Sequence, residues 1–286
     1  MTSAIKVIQP GIYTTVQDAG RYGYSHLGVP VSGVMDKQAY LLANALLNNP
    51  ADAAVLECTL VGPTLKFLEN RFFVLTGARV EATLEGKPVP PYTPTLGARG
   101  QVLKLSNTTG GCRTYIAIDG GIATTQVLGS RSWYFPITDI GQLAKDMLLP
   151  LGSPRYGGPK GATIKLPSSK IGLEAVVSLE TFMGPDYEKL TKKQLDLLAF
   201  RAYTISRLWN RMAIQLEEKL ENSLDNMYTS PVLPGTVQLT PDGTLIVLMN
   251  DCQATGGYPR VLQISERSLG ILSQMQTGNN ILFSIT

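Results

Sequence analysis

The sequence has a single histidine, His26, and three widely spaced cysteines, Cys58, Cys112 and Cys252, with no Cys-x-x-Cys pair. One histidine excludes HExxH chemistry and multi-histidine metal centres, and the cysteines supply neither a zinc ribbon nor a disulfide framework. They are read as buried small hydrophobes, and no metal is expected. No GxxxxGK phosphate loop, GxGxxG fingerprint or GxSxG nucleophile elbow is present, so any nucleotide site is of an unusual kind. Charge is scarce as well: 16% of residues are charged and 44% apolar, against about 25% charged in an average soluble domain. A surface so poor in charge is expected to be covered partly by a partner. The net charge of +3, without an aromatic-interleaved basic run, argues against nucleic acid. No stretch approaches the roughly 20 apolar residues that span a bilayer, and the first residues lack the apolar core of a signal peptide. A cytoplasmic protein without membrane attachment is expected.

What the chain has in abundance is short β-like runs. Residues 72–76, 102–105, 114–118 and 245–249 are β-branched or apolar and bounded by Gly, Pro, Asn or Asp, which points to barrels or sandwiches. Glu85-Gly86-Lys87 and Pro241-Asp242-Gly243 carry hairpin-turn chemistry. Helices are few. Ala39, Leu42, Ala43, Leu46 and Leu47 follow a 3.6-residue period over 36–48, with Ser32 or Asp36 as cap. A second helix is expected over 186–200 and a shorter one after Ser265. Leu216, Leu220 and Leu224 hint at another, which Asn222 and Ser223 oppose. Prolines, glycines and basic residues crowd residues 150–172, dividing the chain into domains 1–150 and 173–286 with a Gly/Pro-rich linker at 151–172.

The densest polar stretch is Thr14-Thr15-Val16-Gln17-Asp18-Ala19-Gly20-Arg21-Tyr22-Gly23, continuing through His26-Leu27-Gly28-Val29-Pro30 and Ser32-Gly33 to Met35-Asp36. Entered from a β-like run, it suits a ligand-holding loop. A looser echo follows residues 245–249, where Asp251 leads into Gln253, Thr255, Gly256, Gly257 and Tyr258; two similar barrels presenting similar loops are expected.

This first stretch resembles the signature of the KipA/PxpC family, also called allophanate hydrolase subunit 2 or the biotin-dependent carboxyltransferase family. The likeness continues at Ala43-Asn44, Leu56-Glu57, Gly62-Pro63, Leu75-Thr76-Gly77-Ala78, Gly120-Gly121-Ile122, Leu128-Gly129-Ser130-Arg131-Ser132, Asn210-Arg211-Met212 and residues 246–258, almost the whole chain. The resemblance implies a mainly β protein of two cyclophilin-like β-barrel halves with a few short helices. It also implies work beside a KipI/PxpB-like subunit and a PxpA-like subunit in an ATP-dependent 5-oxoprolinase, which opens 5-oxoproline to glutamate; a lone chain is expected to be inactive. The alternatives it leaves are a non-catalytic binding partner of a KipI-like kinase inhibitor and the carboxyltransferase component of a urea-carboxylase-like system, the one case in which biotin would be needed.

These activities share a small amide or urea substrate whose carbonyl must be held and polarised. Asp18, Arg21 and His26 are the candidate catalytic groups. Gln17, Gly20, Gly23, Ser32, Gly33, Arg131, Arg211, Gln253, Thr255, Gly256, Gly257 and Tyr258 are candidate binding groups, the arginines for an oxyanion or phosphate. Plainer roles stand beside these. Asp18 and Arg21 are equally read as a pair that caps the loop, His26 as a structural hydrogen bonder, Asp36 as a helix cap, and Asn44 or Glu57 as braces beneath the loop. The chain departs from the family at Trp133, at Asp139-Ile140-Gly141-Gln142, at Ala213-Ile214-Gln215 and at Ser230-Pro231-Val232, which puts contacts made there in doubt.

Overall fold

A computed structural model describes residues 4–158, 176–225 and 227–286. Residues 159–172 of the expected linker lie outside them. The chain divides into two compact units: Met1–Arg21 with Ser32–Ser169, and Tyr22–Val31 with Lys170–Thr286. The polar stretch that stands out in the sequence is therefore shared, its ends in the first unit and its middle in the second.

The first unit contains β1 (Ala4–Gln9), β2 (Tyr13–Gln17), α1 (Lys37–Leu46), β3 (Val55–Thr59), β4 (Thr64–Phe67), β5 (Arg71–Leu84), β6 (Lys87–Pro88), β7 (Thr95–Gly97), β8 (Val102–Ile118) and β9 (Leu148–Pro150). Its nine strands form one curled sheet in the order β2-β3-β8-β4-β1-β9, with β5 on β8. β8 serves β3, β4 and β5 because its length lets different segments pair with each. All five residues of β3 are buried, since both faces of the sheet are covered. Leu56 and Cys58 join the main core with Val16, Phe67, Phe73 and Trp133. Val55 faces α1, against Tyr40, Ala43, Leu47 and Val74. Asp36 caps α1, accepting Ala39 N–H at 3.0 Å. The β5–β6 hairpin closes on Glu85 and Gly86, both at positive φ (48° and 78°), a two-residue turn matched to strand twist.

The second unit contains β10 (Val177–Met183), α2 (Lys192–Phe200), β11 (Tyr203–Trp209), β12 (Ala213–Leu216), β13 (Ser230–Pro231), β14 (Thr236–Leu239), β15 (Leu245–Leu248), β16 (Thr255–Gly256), β17 (Arg260–Ile264), α3 (Glu266–Leu272) and β18 (Asn280–Ile285). Seven strands close a barrel, β10-β17-β14-β15-β12-β11-β18, and β13 pairs with β16 outside it. The expected mainly β architecture holds in both units, closed in one and curled in the other.

Two helical expectations shift. The helix expected from Asp186 begins at Lys192, because Thr191 and Gln194 form a reciprocal capping box there. Asp186 instead ties to β17, exchanging main-chain and carboxylate hydrogen bonds with Arg260. Leu216, Leu220 and Leu224 make no helix. Leu216 ends β12, and Asn222 donates to the Leu220 and Thr240 carbonyls while accepting Leu224 N–H, satisfying the backbone in a non-helical path.

Candidate functional site

Asp18 follows β2 and is 6% exposed. Its carboxylate accepts four hydrogen bonds: Gly20 N at 3.0 Å, Ser130 Oγ at 2.6 Å, Ser132 Oγ at 2.6 Å and Arg131 N at 2.5 Å. Arg21, also buried, donates through Nε to Val127 O at 3.0 Å and through its terminal nitrogen to Ser132 O at 2.8 Å. Gln17 donates to Trp133 O at 3.2 Å. Three side chains from one strand end thus clamp residues 127–133, which run along the β2 edge with Trp133 N bonded to Val16 O at 2.9 Å. Asp18 and Arg21 meet through Ser132 rather than as a direct pair. Arg131 is partly exposed at the centre of this stretch, with its guanidinium on the Thr124 carbonyl.

The returning chain is braced from below. Ser32 and Gly33 both have positive φ (55° and 81°), and a Cβ on Gly33 would lie 2.8 Å from Gly20 Cα. That close backbone approach requires glycine. Glu57 stands opposite Tyr115 in the β3–β8 register. It accepts the Tyr115 hydroxyl at 2.8 Å and Met35 N–H at 2.8 Å, with Arg113 Nε 3.7 Å away. Tyr115 Oη in turn accepts Asp36 N–H at 2.7 Å. Burial, then the Glu57 and Asp36 charges, push the Tyr115 hydroxyl well above the usual phenolic pKa, so it stays a donor to Glu57. Glu57 is the brace expected from the sequence. Asn44 holds the far end of α1 instead, donating to Ala53 O at 2.9 Å and accepting from Asn49.

In the second unit His26 lies in an exposed one-turn 3-10 helix, Ser25–Leu27, closed by Gly28 at φ 75°; Gly23 is exposed on the same loop. Arg211 forks onto Asp251, Nε to Oδ2 at 2.7 Å and the terminal nitrogen to Oδ1 at 3.0 Å. Both are buried, and the guanidinium is engaged within the unit. The echo between the two strand–loop units is physical: after β2 and after β15 alike, a buried aspartate fastens a neighbouring segment. Beyond Asp251, Thr255 and Tyr258 are exposed and Gln253, Gly256 and Gly257 partly so. Gly256 packs over Gln238, which also reaches Tyr258 O at 3.4 Å. Ala213 and Val232, two departures from the family pattern, join Leu248 and Cys252 in an apolar cluster.

The family model for the carboxyltransferase domain, subdomains A and B, matches residues 27–285. The chain belongs to that family. The C subunit of 5-oxoprolinase from Escherichia coli is 35% identical over 98% of this chain and 90% of its own. The urea amidolyase of Saccharomyces cerevisiae is 38% identical over 46% of this chain and 7% of its own. The crystal structure of TTHA0988 superposes with a TM-score of 0.88 at 29% identity over 99% of this chain. This chain spans 55% of that one, about half its length.

Within this family's motifs the structure adds residues that spacing alone did not single out as a set. Ser130 and Ser132 are the partners of Asp18, and Tyr115 and Arg113 those of Glu57. The signal available in the sequence was polarity inside otherwise apolar β runs, since a buried polar group needs a partner. Among the described residues no group of three or more His, Cys, Asp or Glu side chains is placed to hold a metal.

Proposed function

We propose that the chain is a component of a heteromeric, ATP-dependent amide or lactam hydrolase of the 5-oxoprolinase type, acting with KipI/PxpB-like and PxpA-like subunits. The observation that carries this reading is the 35% identity to the E. coli 5-oxoprolinase component across nearly the full length of both chains. Its geometry fits a presenting role: the Asp18 carboxylate and the Arg21 and Arg211 guanidiniums are engaged internally. The polar chemistry at least partly exposed is Arg131 in one unit and Gln253, Thr255, Tyr258 and His26 in the other. With all three candidate phosphate-gripping arginines hydrogen-bonded within the chain, Arg131 through the Thr124 carbonyl, the residues do not fit an ATP cradle, and ATP use is assigned to another member of the complex. In this reading Asp18 and Arg21 shape a binding wall, and Arg131 grips the substrate's carboxylate or carbonyl oxygen.

Co-expression with the two partner subunits, followed by assay of glutamate release from 5-oxoproline and ATP, tests the proposal. Release that requires all three subunits supports it; a stable complex that never turns over sinks it in favour of a binding role. A second reading, transfer of a carboxyl group from carboxyl-biotin to urea, is favoured by the matched carboxyltransferase profile and the urea amidolyase relative. Avidin-sensitive carboxylation of urea on addition of a biotinylated carrier would select it.

A further inference from the structure

Residues 133–143 form a closed turn with an apolar tip. Trp133 and Leu143 are buried at its ends and bonded to β2, Trp133 N to Val16 O at 2.9 Å and Leu143 N to Thr14 O at 2.8 Å. Inside it, Tyr134 N–H donates to Thr138 Oγ1 at 2.9 Å, Thr138 N–H to Tyr134 O at 2.9 Å, and the Thr138 hydroxyl to Ile140 O at 2.7 Å. Gly141 lies against Phe135, its Cβ direction ending 3.3 Å from Phe135 Cβ. The buried clamp of Gln17, Asp18 and Arg21 fixes the root. On this rigid support Phe135 is 70% exposed and Ile140 40%. Asp139, between them, is the one charged residue from 132 to 144.

The second unit carries a surface of opposite character. A groove on α2 is lined by Lys192, Lys193, Asp196, Leu197, Phe200 and Arg201: three cations and one carboxylate around two apolar side chains. It too is held stiffly. Arg201 stacks over Tyr203 at 4.7 Å and donates to Lys219 O at 2.8 Å, while Gln194 ties the helix to Glu221 O at 2.8 Å. Phe200 is left outside.

We infer that the chain self-associates, the 133–143 turn of one copy seating in the α2 groove of a second. Phe135 and Ile140 pack on Leu197 and Phe200, and Asp139 faces Lys192, Lys193 and Arg201. Two different surfaces meet, so one such contact joins two copies head to tail. Both elements are ordered before contact, which lowers the entropy cost of association. Aromatic anchors inside a charged rim are the usual pattern of interface hot spots. This goes beyond the proposed activity and is independent of it.

Sedimentation velocity on the purified chain over a concentration series is the test. Wild type should sediment as a dimer, and Phe135→Ala should raise its dissociation constant about thirtyfold or more. Asp139→Lys and Lys193→Glu should each weaken the dimer too. Mixing those two variants should restore it, because each contact in the mixed pair again joins opposite charges. Leu96→Ala, an exposed apolar residue elsewhere on the first unit, should leave it unchanged. All these side chains are exposed, so circular dichroism should show an intact fold throughout. A wild-type monomer at every concentration, a dimer indifferent to Phe135→Ala, or charge variants that weaken but do not complement each other would overturn the inference.

Discussion

Replacing Asp18 by alanine removes the acceptor on which residues 130–132 are hung. Four donors lose their partner at once: Gly20 N, Ser130 Oγ, Arg131 N and Ser132 Oγ. Hydrogen bonds to a charged acceptor contribute roughly 1.5–3 kcal/mol each. Neighbours sharing one acceptor do not add, so the simple sum overstates the loss. The better guide is the cost of removing one member of a buried charged network, about 3–5 kcal/mol, and that is the expected loss. It is a large share of the roughly 5–15 kcal/mol that holds a typical protein folded. Asp18→Asn keeps one oxygen but aims an N–H at a site already filled by donors, and should cost about 1–3 kcal/mol. The readout is built in. Of the two tryptophans, Trp133 lies in the clamped stretch, so in a Trp209→Phe background its fluorescence follows that stretch alone through a urea titration. Lys87→Ala, on the exposed β6 strand, serves as control. If Asp18→Ala shifts stability by no more than the control, within about 0.5 kcal/mol, the clamp contributes nothing and the positioning role of Asp18 is refuted.

Gly33→Ala should cost more than Gly28→Ala in thermal unfolding. Both residues have positive φ, but a Cβ at Gly33 strikes Gly20 backbone at 2.8 Å and one at Gly28 meets nothing within 4 Å; equal costs would contradict this. Arg211→Met and Asp251→Leu should each destabilise the protein by about 3–5 kcal/mol as a buried charge loses its partner, while the double variant should be more stable than either single. Urea midpoints check the order. Burial raises the pKa of Tyr40, Tyr115 and Tyr203, the carboxylates around Tyr40 and Tyr115 adding to it. A folded pKa above the unfolded value near 10 means that these groups favour the fold below about pH 10, and that this stability is lost as pH rises through their higher folded values. In an alkaline titration followed at 295 nm, these three of the twelve tyrosines should ionise only as circular dichroism is lost. Full ionisation with the fold intact would contradict their burial.

The β character, the hairpin turn at Glu85-Gly86, the Asp36 cap and the helix after Ser265 were legible because each rests on local chemistry: alternation, glycine at positive φ, a side chain reaching its own backbone. The helix expected from Asp186 started late because Asp186 has a distant partner, Arg260, and no local pattern reveals one. The candidate site shows the same limit. Gln17, Asp18 and Arg21 are legible as important, yet their partners lie between 106 and 116 residues away in sequence. Side chains that look free in a polar loop are in fact the fastening of a remote segment.

The sequence by itself determined the mainly β class, the absence of a multi-histidine metal centre and the membership carried by motifs along the whole chain. Composition and local spacing are enough for these. Tertiary structure decided what the polar stretch does. Folding brings residues 127–133 beside β2, and burial there forces every carboxylate and guanidinium to find a partner. Asp18 and Arg21 therefore hold residues 127–133 in place, and the groups left at least partly exposed are Arg131, the Phe135 turn and the loop after Asp251.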